Sequence, residues 1–314
     1  MRALLCPASL KGVLTAGAAA AALARGARSA GADAVELPIA DGGEGTTDAL
    51  YAALGGEWRQ AIVSDPLGRP VSAKWLLLPD GRAVVEAAAA IGLPLLADDE
   101  RDPLVASSRG LGELVLAALL EQPRALLVGL GGSATVDGGA GLREVLRELS
   151  ISTTVLCDVT TTLADAARVF GPQKGATDEG VAILERWLAG MDELLPYTGL
   201  PGSGAAGGLG AALAALGAEL VPGAPSILDL VGFDEHLREC EMAITGEGQV
   251  DATTAQGKAP GVVAARCAAS GVRCVVFGGR VVEAIDGVET VSLSGDPATA
   301  EKDLEELGRR LVVL

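Results

Sequence analysis

The chain has 314 residues, enough for two ordinary domains, with 49% hydrophobic but only 3% aromatic residues, so Ala, Leu and Val must fill the interior and helices can lie close to sheets. Its 41 acidic and 24 basic side chains give a formal net charge of -17, a field that repels phosphodiester backbones and anionic lipid and argues against nucleic-acid and membrane partners. Five scattered cysteines without a C-x-x-C pair read as reduced, buried thiols, and a single histidine, His236, supplies neither a His-based metal cluster nor a Ser-His centre.

Ala3 to Cys6 reads as a first strand, and Thr15 as the N-cap of an Ala-rich helix running to Ser29 and closed by Gly31. Ala34 to Ile39 reads as a second strand and Glu44 to Leu54 as a second helix, ending at Gly55-Gly56. The apolar run Ala18 to Ala24 is far short of the roughly 20 residues that span a bilayer. Lys11 breaks any signal-peptide core, so the expectation is a soluble cytoplasmic protein.

The texture then changes. Trp58 to Val63, Val71 to Leu78 and Arg82 to Ala87 are β-prone runs separated by Asp65-Pro66-Leu67-Gly68-Arg69-Pro70 and by Pro79-Asp80-Gly81, the signature of an antiparallel meander. Helical patterns follow at 108–122, 138–149, 178–190 and 205–217, with strands at 124–130 and 152–157. Beyond Glu241 the βα alternation returns: strands at 242–245, 272–277 and 288–293, helices near 257–269 and 281–286, and a charged helix near 299–310. Two strands at the start and three at the end predict one five-stranded parallel sheet. The expected architecture is therefore a doubly wound α/β domain, 1–56 plus 238–314, interrupted by a mixed α/β domain, 57–237, with a cleft between them.

Three glycine-rich segments carry carboxylates: Asp41-Gly42-Gly43-Glu44-Gly45-Thr46, Gly129 to Gly139 and Thr245 to Asp251. A strand leading through glycines toward a helix offers backbone N–H groups to an anion. No strict Walker loop is present, since Gly257-Lys258 is followed by Ala259. Gly129-Leu130-Gly131-Gly132-Ser133-Ala134 matches the weak dinucleotide pattern G-x-G-x-x-A, without a clear acidic ribose partner.

Phosphoryl transfer requires donors for phosphate oxygens, a carboxylate-held cation, positive charge and a proton acceptor. The chain offers the amides of 42–45, 131–133, 207–210 and 246–248 with Ser133 and Thr135; the carboxylates Asp41, Glu44, Asp137, Asp158, Glu247 and Asp251; and the lysines Lys11, Lys174 and Lys258, all three in turns. Plainer readings stand beside these. Asp41 can be a turn or cap residue, 133–135 can cap a helix, and the glycines of 204–211 can serve close packing. Glu86, which interrupts the apolar run before Ala87, is either paired or facing the cleft.

Taken together, the segments Pro7 to Gly12, Ala40 to Thr46, Asp65 to Arg69, Arg101 to Leu104, Gly129 to Gly141, Phe170 to Ala176, Gly204 to Gly210 and Thr245 to Pro260 closely resemble the type-1 glycerate kinase family, in order and over nearly the whole chain. That resemblance implies a flavodoxin-like domain with an inserted restriction-endonuclease-like domain, an active site in the cleft, and phosphorylation of D-glycerate with ATP and Mg2+, 2-phosphoglycerate being the favoured product. It further implies that Lys11, Lys258, Asp41 and Asp251 are catalytic, the lysines neutralising charge and Asp41 or Asp251 accepting the hydroxyl proton. Gly42, Gly43, Glu44, Gly45, Gly131, Gly132, Ser133, Thr135, Asp137, Lys174, Gly207, Gly208, Gly246 and Gly248 then bind substrate and ATP, and Asp158 and Glu247 hold the metal.

Three positions depart from the family's pattern: Ala8 replaces an Asp, Val136 an Asn and Thr161 an Asn. Two alternatives follow from the residues, a NAD(P)-dependent oxidoreductase using 129–134 and a non-catalytic glycerate or nucleotide sensor. A homodimer is compatible with either reading of the site.

Overall fold

The computed structural model describes residues 1–312, and of Gln256 only the backbone. In chain order the elements are β1 (Arg2–Leu5), α1 (Ala16–Ser29), β2 (Asp33–Glu36), α2 (Thr46–Leu54), β3 (Glu57–Ser64), β4 (Pro70–Leu77), β5 (Arg82–Glu86), α3 (Ala87–Ile91), α4 (Arg109–Leu120), β6 (Ala125–Gly129), α5 (Ala140–Val145) and β7 (Thr153–Cys157). They continue with α6 (Ala166–Phe170), α7 (Asp178–Ala189), α8 (Ala205–Ala215), β8 (Glu219–Pro222), α9 (Gly223–Leu230), α10 (Phe233–Arg238), β9 (Met242–Val250), α11 (Ala259–Ser270), β10 (Arg273–Val281), β11 (Glu289–Ser292) and α12 (Ala300–Leu311). Two compact units result: residues 1–41, 48–55 and 224–312 form the first, residues 42–47 and 56–223 the second.

The first unit holds the expected five-stranded sheet, in the order β11-β10-β9-β1-β2, with every pairing parallel. Its strands alternate their burial partners. Val275 and Phe277 of β10 join Ala3, Leu5 and Ile244 under α1 and α12, while Val276 packs with Ala264 of α11 on the opposite face. Helix α1 starts where the sequence places it, the Thr15 hydroxyl accepting the N–H of Ala18. Its contact with α12 is close enough that a Cβ on Gly308 would stand 2.2 Å from the Leu23 carbonyl oxygen, so small residues here let two helices approach backbone to backbone.

The second unit carries a six-stranded mixed sheet, β3-β4-β5-β6-β7-β8. Strands β3, β4 and β5 form the antiparallel meander, and β5 to β8 run parallel. Turn chemistry fixes the first hairpin: Asp65 accepts the N–H groups of Leu67 and Arg69 at 2.8 Å each. Trp75, Val85, Val128 and Val155 anchor the core against Leu111, Leu114 and Val115 of α4.

Several expected boundaries move. No helix forms over 281–286, because β10 continues through Val281 beside β9 and Val282 then donates to the Val250 carbonyl. The helix expected over 138–149 shrinks to six residues, ending where Leu146 turns extended. Inside α8, Ala206, Gly207 and Gly208 are left-handed, so the regular helix begins only after them. Strand β8 and helix α9 carry no strong periodicity and have no counterpart among the expected elements, whereas α10 holds the segment around His236 that reads as a helix surface.

Candidate active site

In the first unit the strand order reverses between β1 and β9, and ligands of open α/β sheets gather beyond the carboxyl ends of strands at such a switch point. Beyond β1 the chain stays zipped to β9: Ala8 N–H donates to the Gly246 carbonyl at 2.9 Å, and the Thr245 hydroxyl to the Cys6 carbonyl at 2.7 Å. The turn that follows exposes Lys11. A Cβ on Gly248 would have its nearest neighbours, Leu10 Cα and the Lys11 nitrogen, at 3.7 Å, which puts this turn against the end of β9.

Residues 245–250, read from sequence as a glycine loop, are instead the second half of β9, with Gly246 and Glu247 opposite Phe277 and Gly278 of β10. Gly246 is glycine for packing, since a Cβ there would lie 2.2 Å from the Phe277 carbonyl oxygen. The sheet continues past the glycines because β10 supplies a ladder that sequence spacing does not reveal.

At the end of β9 the charged groups converge. Lys258, at the N-cap of α11, places Nζ 3.8 Å from Glu247 Oε2 and 3.8 Å from Asp251 Oδ1. Both separations exceed hydrogen-bond reach, so the ammonium keeps donors for a third anion. Burial is the main force raising the Glu247 pKa, with Asp41 and Asp251 adding to it and Lys258 and the Thr254 hydroxyl opposing it. Asp251 behaves oppositely: bonds from the Thr253 hydroxyl and from Gln249 hold its pKa at about 2. Thr253, Thr254 and Gln249 were missed from sequence, although Thr two and three residues after an Asp is a turn signal.

The second unit gathers its groups at the carboxyl ends of β5, β6 and β7. Gly131 N–H faces the Gly42 carbonyl at 3.4 Å, and a Cβ on Gly131 would stand 2.4 Å from Gly43 Cα, so these glycines let the two loops touch. The same added Cβ would be 3.2 Å from Asp158 Oδ2, and one on Gly132 would be 3.5 Å from Glu44 Oε2; the two carboxylates therefore flank one loop. Glu86 is paired, which settles the choice left open by its sequence. It accepts the N–H of Gly45 at 3.1 Å, the Thr47 hydroxyl at 2.8 Å and the Thr47 N–H.

Lys174 is 4% exposed and donates to Ser133 Oγ at 3.0 Å and the Thr135 carbonyl at 2.8 Å. Burial pushes its pKa down to about 7 against the upward pull of Asp137 and Asp158. Beside it the Thr135 hydroxyl is buried and has no hydrogen-bond partner among the described residues. Asp137, singled out as a ligand contact, has its carboxylate taken up internally: it accepts the N–H and hydroxyl of Ser108 and the N–H groups of Gly139 and Gly141. Gly207 and Gly208 pack against 135–138, and Gly207 accepts the Gly138 N–H at 3.0 Å.

The segment 129–134 lacks the context of a dinucleotide fingerprint, which needs a helix opening directly after the glycines. Instead Ala134 donates to the Ile91 carbonyl at 2.8 Å, Gly132 accepts from Leu93 at 2.9 Å, and α5 starts only at Ala140.

The sequence matches the glycerate kinase family over residues 3–150 and 142–306, which together span most of the chain. The chain belongs to the glycerate kinase family. It is 40% identical over 305 residues to the glycerate 2-kinase of Escherichia coli K12, covering 83% of this chain and 80% of that protein. To the glycerate kinase of Bacillus subtilis 168 it is 37% identical over 305 residues, with the same coverages. A crystal structure assigned as glycerate kinase 2 of Salmonella typhimurium LT2 superposes with a TM-score of 0.86 at 32% identity, covering all of this chain and 97% of that one. The protein is therefore a kinase of this family. No helix among the described residues is long and apolar enough to cross a membrane.

Proposed function

We propose that this chain transfers the γ-phosphoryl group of ATP to D-glycerate, giving 2-phosphoglycerate. The observation that carries the reading is Lys258 held between Glu247 and Asp251 without a hydrogen bond to either, at the switch point of the parallel sheet. Strand order 2-1-9-10-11 with helices on both faces is the flavodoxin-like arrangement, and it supports placing anion-handling groups there. The mixed sheet of the second unit is the counterpart of the inserted restriction-endonuclease-like domain.

In this reading Lys258 and the exposed Lys11 neutralise the glycerate carboxylate and the moving phosphoryl group. Asp41 accepts the hydroxyl proton as that oxygen bonds to phosphorus and ADP leaves. Asp251 suits this less well, because an anion held at a pKa of about 2 is a weak base; its work is to orient Lys258. In the second unit the amides of Gly132 and Glu44 are the donors for phosphate oxygens, those of Gly131 and Gly45 being taken by the Gly42 carbonyl and by Glu86. Lys174 shapes that loop from beneath through Ser133 and Thr135.

The residues also fit Mg2+. Among the described residues no group of three His, Cys, Asp or Glu could hold a metal ion, but Mg2+ is commonly bound by one or two carboxylates together with substrate phosphates. Glu247, whose raised pKa reflects burial and crowding by Asp41 and Asp251, is such a carboxylate in the first unit, and Asp158 in the second. Bound there, the ion would supply charge neutralisation at the phosphate oxygens. The test is ADP release from MgATP with D-glycerate, L-glycerate or no acceptor, followed by phosphorus NMR of the product. Release that needs no acceptor, or a 3-phosphoglycerate signal, would refute the reading.

A further inference from the structure

Strand β10 carries an arginine near each end. Arg273 is committed to Glu289 at 2.9 Å, as Arg2 is to Glu239 and Arg266 to Asp229. Arg280, at the carboxyl end, is exposed and among the described residues makes neither an ion pair nor a hydrogen bond. In a chain with 41 acidic and 24 basic side chains, arginines are drawn onto carboxylates, so a guanidinium left uncommitted where a parallel sheet presents its ligands stands out.

The register with β9 fixes its place. Val250 and Val281 are partners across the two strands and both pack with Ala264 and Val276 on the face of α11. The preceding pair is Gln249 and Arg280, and alternation along each strand turns these two to the opposite face, where both are exposed. Gly279 keeps the strands close up to this point, since a Cβ there would lie 2.7 Å from the Gly248 carbonyl oxygen. Gln249 in turn donates Nε2 to Asp251 Oδ2 at 3.0 Å, and Asp251 Oδ1 stands 3.8 Å from Lys258 Nζ. A row runs from Lys258 through Asp251 and Gln249 to Arg280, with a cation at each end. Arg280 is the third cation, after Lys258 and Lys11, to set against Asp41, Glu247 and Asp251 at this end of the sheet. Glu283, exposed in the turn after β10, is the other acid nearby, and it makes no ion pair among the described residues.

We propose that Arg280 binds the carboxylate of the hydroxy-acid substrate and so determines specificity at this site. The inference rests on the reading that the phosphoryl acceptor sits at the end of β9. A guanidinium offers two parallel N–H donors that match the two oxygens of a carboxylate, whereas an ammonium acts as a point charge. With Arg280 on the carboxylate, Lys258 and Lys11 are left for the moving phosphoryl group. A neutral polyol has no group for the arginine, so the same contact selects an acid.

Steady-state kinetics of the full-length protein, with D-glycerate and MgATP varied separately, test this. Arg280→Ala raises KM for glycerate roughly 10- to 100-fold, the loss of hydrogen bonds to a charged group, and leaves KM for ATP unmoved. Arg280→Lys, which keeps the charge but not the fork, recovers only part of that loss. The circular dichroism spectrum and thermal midpoint of both variants stay those of the wild type, because the side chain is exposed. An unmoved KM for glycerate in Arg280→Ala, or a KM for ATP that rises in step with it, would overturn the assignment while Lys258→Ala still impairs turnover. Normal turnover in Lys258→Ala would instead remove the site from the end of β9, and the assignment with it.

Discussion

The carboxylate of Glu86, at the last position of β5, receives both the N–H and the hydroxyl of Thr47, 39 residues earlier in the chain. A third bond, from Gly45, brings the turn that precedes α2 under the same side chain. A negative group at a helix N-terminus is favoured by the helix dipole and by otherwise unpaired N–H groups, so one buried glutamate fixes the glycine loop and starts the helix.

Glu86→Ala should therefore lower stability by about 1–3 kcal/mol, the range for leaving buried donors unpaired. Urea unfolding of the variant beside Glu86→Gln, which keeps an acceptor, provides the measurement. Gln should recover part of the loss. Equal midpoints for wild type and Ala would show that the three bonds contribute nothing.

Lys258→Ala should reduce kcat by roughly 10²–10³, the effect of removing one preorganised electrostatic contact. Lys258 is partly exposed and stands 3.8 Å from both of its carboxylate neighbours, so the thermal midpoint should stay near that of the wild type. Near-normal turnover would move the site away from the end of β9.

For Lys174 the sign of the pH effect follows from its pKa of about 7 when folded, against the ordinary 10.5. Below pH 7 the amine is charged in both states, and the desolvation penalty is fully present. Between 7 and 10.5 the unfolded chain binds more protons, so this group makes stability rise with pH until the unfolded amine also titrates. Lys174→Met should remove that rise. The comparison to make is the difference in unfolding free energy between pH 7 and pH 9 for the two proteins; parallel curves would mean that the lysine does not lose its proton in the fold.

Gly207→Ala should be far more damaging than Gly217→Ala. Both residues have positive φ, which carries a penalty of roughly 1–2 kcal/mol for an L side chain. Only at Gly207 would the new Cβ also strike backbone, 2.3 Å from the Thr135 carbonyl oxygen, whereas nothing lies within 4 Å of the one at Gly217. Expression and melting of the two variants side by side decide the matter.

What the sequence made legible was local. The Thr15 cap, the turn at Asp65 and the parallel βα units at both ends all rest on residues within a few positions of each other. Glu86 was ambiguous because its partner comes from another element, and the strand character of 245–250 was hidden because β10, not the glycine-rich spelling, decides it. Lys174 stands out in the sequence as a lysine in a glycine-containing turn, yet its position beneath Ser133 and Thr135 depends on contacts 39–41 residues away.

Thr245 bonds to Cys6 across 239 positions, and β1 lies between β2 and β9. During synthesis on the ribosome, β1 and β2 emerge first, but the neighbour on the other side of β1 is not made until after the whole second unit, whose last residue is Gly223. That unit can thus finish folding while Ala3, Leu4 and Leu5, all fully buried at the end, still lack one of their neighbouring strands. Vectorial translation consequently leaves the N-terminal strand waiting longest for its core, so a ribosome stalled before Met242 would display a complete second unit tethered to an unfinished first one.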